Sequence, residues 1–170
     1  MAITKHLIEQ IAEAEYGVQE FFSDEPRRPV LNEPATEQEL ARLDVYLGKD
    51  GLNCPPSYRQ FLRICNGIQG FRPDFSLLPI ERVIKGPSAD FKRDYPNLAR
   101  FMIGRGDDTR QYMALNPEKA KGEELEFVYV YDDGNEWRYP NFGKYLETLL
   151  GELSATLEKE RADRKRKKKK

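Results

Sequence analysis

The 170-residue chain is 39% hydrophobic and includes nine Phe, nine Tyr and one Trp, enough to fill the core of one ordinary domain but not of two. Its 28 Lys and Arg nearly cancel 29 Asp and Glu, yet the seven residues from Arg164 to Lys170 are all basic, so the remainder sets 21 basic side chains against 29 acidic ones, a net −8. Two cysteines, Cys54 and Cys65, exclude a disulfide scaffold and a four-cysteine zinc site, and Lys5, His6 and Glu9 interrupt the stretch where a signal peptide would stand; no membrane span, no export and a cytoplasmic location are expected.

Ile3, Leu7, Ile11, Ala14, Val18 and Phe21 recur at steps of three and four and predict an amphipathic helix ending near Phe22. Pro26, Pro29 and Pro34 break regular structure, after which Thr36-Glu37-Gln38-Glu39 forms a capping box ahead of Leu40, Leu43 and Leu47, with Gly48 as the stop. Pro56 starts a third helix with Tyr58, Phe61, Leu62 and Cys65 on one face, and Asn66-Gly67 ends it. Pro73, Pro79, Pro87 and Pro96 then punctuate short strands and one helical piece before Arg100.

Clearer strands are expected at Phe101 to Ile103, Tyr112 to Leu115, Phe127 to Tyr131 and Trp137 to Tyr139, where aromatic and β-branched residues suit a pleated surface. Asp132 to Glu136, containing Asp133-Gly134, reads as a hairpin loop. Asn141 caps a last helix with an apolar stripe from Phe142 to Leu157. Helices, then strands, then a helix, without alternating βα units, predict an α+β fold with a largely antiparallel sheet.

Most catalytic chemistries lack their residues. The single histidine, His6, lies on the polar shoulder of the first helix, so triad and zinc-hydrolase arrangements have no placed imidazole. Cys65 reads as a buried hydrophobe and Cys54 as a loop thiol without a neighbouring cation to activate it. Gly104-Arg105-Gly106 is too little for a phosphate loop and reads as a tight connection between strands. No enzyme activity, no cofactor and no metal are therefore expected.

Two charged features remain. Asp107, Asp108, Asp132, Asp133 and Glu136, with Trp137, are the candidate partner-binding residues: two acidic loops at neighbouring sheet ends beside the only tryptophan suit a basic protein partner. The same residues have a plainer reading, in which Asp133-Gly134 only turns the chain and Trp137 belongs to the core. Arg164, Lys165, Arg166, Lys167, Lys168, Lys169 and Lys170 are the candidate polyanion-binding residues, drawn to nucleic acid or anionic membrane, or else a disordered solubilising end.

The run Thr36 to Leu40, Leu47-Gly48, Cys54-Pro55-Pro56-Ser57-Tyr58, Phe61-Leu62 and Cys65-Asn66-Gly67, followed in order by Tyr112 to Leu115, Val128 to Val130 and Phe142 to Leu150, resembles the SUKH superfamily. That group holds bacterial immunity proteins of polymorphic toxin systems and fungal cell-wall synthesis regulators. The resemblance implies a non-enzymatic binding module that neutralises a cognate toxin, with a scaffold for host signalling partners as the alternative. It covers roughly Glu37 to Leu150. The expected organisation is one SUKH-like domain over residues 1–157 with an N-terminal helical extension, followed by a basic, disordered tail over 158–170.

Overall fold

The computed structural model describes residues 2–106 and 110–167. Helix α1 (Lys5–Phe22) is capped by Thr4, whose hydroxyl accepts the Leu7 amide at 3.1 Å. Strand β1 (Val30–Leu31) leads into α2 (Glu37–Gly48), where Thr36 and Glu39 close the expected capping box, and α3 (Pro56–Ile64) follows. Strands β2 (Ile68–Arg72) and β3 (Phe75–Leu77), short helices α4 (Ile80–Lys85) and α5 (Ala89–Asp94) and a 3-10 turn (Ala99–Phe101) fill the proline-punctuated middle. Strands β4 (Met102–Gly106), β5 (Tyr112–Lys121), β6 (Glu124–Val130) and β7 (Glu136–Tyr139) then lead to α6 (Phe142–Lys167).

The seven strands form one antiparallel sheet in sequential order from β1 to β7. The fold is α+β. Its centre is aromatic: Tyr58 meets Phe101 and Phe142 edge-on at 5.5 Å, and Phe127 stacks on Tyr145 at 4.1 Å. Pro117 has no amide to give the ladder, and the β5–β6 register shifts between Asn116 and Ala120 around it, with the Asn116 side chain accepting the Glu118 amide instead.

The Pro-Pro-Ser-Tyr and Asn-Gly segments are wired into distant parts of the chain. Pro55 offers no side chain to cap α3, and Glu124 at the start of β6 accepts both the Ser57 amide at 2.8 Å and the Ser57 hydroxyl at 2.6 Å. Asn66 is buried and bonds three elements: its amide NH2 donates to Glu39, its carbonyl oxygen accepts the Ile80 amide at the start of α4, and its backbone carbonyl accepts from Asn32. Gly67 follows at φ +92, where a Cβ would stand 2.7 Å from the Leu77 carbonyl oxygen, so both conformation and space require glycine.

Three expectations need correction. Gly104 and Gly106 are not a connection but part of β4, and the missing Cβ at Gly104 lets the Phe75 ring close to about the 2.9 Å at which that Cβ would stand. Cys54 is in a loop as expected, but the cation it was expected to lack is present in Arg59, whose pull on the buried thiol is outweighed by desolvation. The last helix does not stop near Leu157. It runs ten residues further, as far as Lys167, because Glu158 to Ala162 are strong helix formers and Arg164 reaches the Phe21 ring of α1.

Helices α1 and α6 lie side by side and parallel. A Cβ on Gly143 would reach Ile3, one on Gly17 would stand 3.1 Å from Leu157, and the Arg164 guanidinium sits 4.0 Å above the Phe21 ring.

Candidate interaction surface

Strand β7 is the last of the sheet, and its register fixes which way its side chains point. Trp137 lies opposite Tyr129 and Tyr139 opposite Phe127, on the face covered by α6, while Glu136 and Arg138 lie opposite Val130 and Val128 on the other face. Tyr139 is half-covered through Tyr145, 5.2 Å away. Trp137 escapes that cover: it is 57% exposed, with Tyr131 edge-on at 6.5 Å. The core reading of Trp137 is thereby excluded.

The hairpin before β7 is closed by its own acidic residues. Tyr131 and Asn135 pair through the Tyr131 amide, Gly134 turns at φ +81, and the Asp133 carboxylate accepts the Asn135 amide at 2.9 Å and its side-chain NH2 at 2.6 Å. Asp132 reaches across to the neighbouring connection, accepting the Arg110 amide at 2.6 Å and the Gln111 side chain at 3.3 Å. Gln111 in turn accepts the Tyr129 hydroxyl at 2.5 Å. The two connections therefore meet at one sheet end through Arg110, Gln111 and Asp132. Asp107 and Asp108 lie outside the described residues.

Glu136 belongs elsewhere. On the opposite face it pairs with Arg138, which also donates to Glu126 at 2.6 Å, and Asn116 completes the row by donating to Glu126 at 3.0 Å. The row borders a cleft of about 390 Å3 against Tyr95 and Asn97. Of the proposed acidic group, Asp132 and Asp133 thus share the hairpin with Trp137, and Glu136 faces away from the ring. Sequence reasoning missed Arg138, Tyr131 and Tyr139; alternation from Trp137 was the available signal for the last.

The remaining candidates divide between buried and cationic. Burial pushes the Cys54 thiol up to about 12 and Cys65 up to about 11, so both are protonated at neutral pH and poor nucleophiles. Among the described residues, no three His, Cys, Asp or Glu side chains converge as a metal site. Arg164 to Lys167 extend α6 in helical form, with Arg166 3.9 Å from Asp163; Lys168, Lys169 and Lys170 lie outside the described residues. No helix is long and apolar enough to cross a membrane, among the described residues.

Residues 34–148 match the SMI1 / KNR4 family (SUKH-1). The chain belongs to that family. The match begins at Pro34 and ends within α6, so it takes in the capping box, the Ser57–Glu124 bridge, the Asn66 junction, the β7 edge and the hairpin before it. Membership in SUKH-1 makes the chain a protein-interaction module of the SUKH superfamily, a group that is generally one of non-catalytic binding or immunity modules. Helix α1 and the half of α6 beyond Thr148 flank the matched SUKH-1 segment. No curated protein matches the chain.

Proposed function

We propose that this chain is an immunity-type protein that binds and neutralises a basic toxin domain, and that it does so through the β7 edge and the 131–135 hairpin. The observation that carries the reading is Trp137: a large aromatic left 57% exposed on an edge strand, beside two carboxylates at the same sheet end. A net −8 over the chain before Arg164 supports a basic partner, whose approach such a field accelerates. Asp132 and Asp133 hold the turn and stand at the same sheet end, so they steer and shape at once.

The test is binding kinetics of the full chain against basic toxin domains. Trp137→Ala should speed dissociation at least about tenfold with association little changed, as expected when a central aromatic anchor is removed. Asp132→Asn with Asp133→Asn should slow association at low salt, with the difference shrinking as salt rises. Unaltered kinetics in both folded variants would exclude this surface.

The basic end of α6 supports a second reading, the regulatory scaffold, in which Arg164 to Lys170 draw the module to nucleic acid or anionic membrane. Its support is the helical presentation of the charges up to Lys167. Truncation before Arg164 should then abolish salt-sensitive retention on polyanions; equal retention of both forms would remove this reading.

A further inference from the structure

Helix α2 has two apolar stripes. Leu40, Leu43 and Leu47 are buried in the core. Ala41 and Val45, four residues apart, lie along its outer side with the half-buried Tyr46 beside them, and Val45 is 67% exposed. Ile84 of α4 forms the facing wall, and together they line a shallow, mainly apolar groove of about 380 Å3. Its charged lining is basic only: Arg42 and Lys49, one turn to either side of Val45.

The carboxylates near the groove are already engaged. Glu81 bonds Lys85 at 3.0 Å, Glu37 lies 3.6 Å from Arg63, Asp44 pairs with Arg59, and Glu39 serves the capping box and Asn66. Asp50, felt by Tyr46, is the exception on that side, and Arg42 is close enough to Glu81 to help hold its carboxyl below the ordinary range, behind Lys85. Arg42 and Lys49 themselves form no ion pair among the described residues. In a chain that is acidic before its tail, an apolar trough lined by two cations outside any ion pair among the described residues is a reversal of the prevailing charge.

We propose that this groove docks an amphipathic, acidic helix of a second protein partner. A twelve-residue helix is about 18 Å long, enough to seat roughly three turns of a partner helix, whose apolar residues three and four apart would cover Val45, Tyr46 and Ile84. Flanking Asp or Glu side chains would meet Arg42 and Lys49. The groove shares no residue with β7 or its hairpin, so the module has two separate docking surfaces that select partners of opposite charge.

A displayed library of helical peptides, selected against the full chain and counter-screened against Val45→Asp, tests this directly. The enriched peptides should carry an apolar stripe and a surplus of Asp and Glu, bind Val45→Asp at least about tenfold more weakly, and lose a similar factor on Arg42→Glu with Lys49→Glu. Val45 is exposed, so its variant should keep the parent thermal midpoint; Ala41→Arg provides a second block of the same groove should that midpoint move. No enrichment, clones indifferent to both blocks, or clones with neutral or basic flanks would overturn the proposal. So would concentration-dependent dimerisation abolished by Val45→Asp, which would assign the groove to a second copy of the chain.

Discussion

Inside residues 34–148 the chain is held by directional polar bonds laid over an aromatic core, whereas the flanking helices are held mainly by side-chain packing. Glu124 caps α3 from across the sheet, and Asn66 joins α2 and α4. By contrast, α1 meets the distal half of α6 through Gly17 against Leu157 and Phe21 beneath Arg164. Directional bonds fix one geometry, while packed helices tolerate small shifts, so the matched segment should be the rigid unit and the helix pair the more easily opened one.

The largest expected effect lies in the first region. Phe61 is fully buried and meets Phe142 at 5.2 Å, so Phe61→Ala should cost about 3 to 5 kcal/mol in denaturant unfolding. A loss under about 0.5 kcal/mol would break the contrast at its root. Leu157→Ala, at the seam between α1 and α6, should cost about 2 kcal/mol, toward the low end for a buried leucine because the seam can close over the gap. Hydrogen exchange sharpens the point: this variant should speed exchange in α1 before it affects β5 and β6, and uniform acceleration would show one cooperative unit.

The smallest effect sits where the two regions touch. Glu15 of α1 is 2% exposed, 4.0 Å from Arg72 of β2, with one carboxylate oxygen lacking a hydrogen-bond partner among the described residues. Burial raises its carboxyl above the ordinary range, against the opposing pull of Arg72 and the Gln19 side chain. The folded chain therefore holds this proton more tightly than the unfolded chain does. The stability that follows is present at and below the ordinary carboxylate range and is lost as pH rises through the raised value. Glu15→Gln should accordingly gain on the parent as pH rises above the ordinary carboxylate range, read as the difference of the two unfolding curves. A difference independent of pH would mean that Arg72 fully compensates the buried charge.

Local signals were legible in the sequence. The Thr36–Glu39 box, Pro56 at the start of α3, the Asp133-Gly134 turn and the Asn141 cap, whose side chain accepts the Lys144 amide at 2.8 Å, all depend on neighbours within four residues. The Ser57–Glu124 and Asn66–Ile80 bonds were not legible, because no periodicity records a partner 67 or 14 residues away. The extension of α6 did have a signal: Glu158 to Ala162 favour helix strongly, but the charge run after them was read as disorder. For the interaction surface, the hairpin and its charges were visible, but the exposure of Trp137 depends on where α6 stops covering β7, and Glu136 parted from Trp137 through strand alternation.

The parallel pairing of the first and last helices also sets a timetable for synthesis. Each strand of the sheet can pair with the one made just before it, so the meander can grow as the polypeptide leaves the ribosome. Helix α1 cannot follow that schedule: Gly17 waits for Leu157, made 140 residues later, and until then α1 has no α6 to pack against. The seam between Gly17 and Leu157 thus closes only after the 140 residues that separate them have been made, later than the strand pairs of the meander.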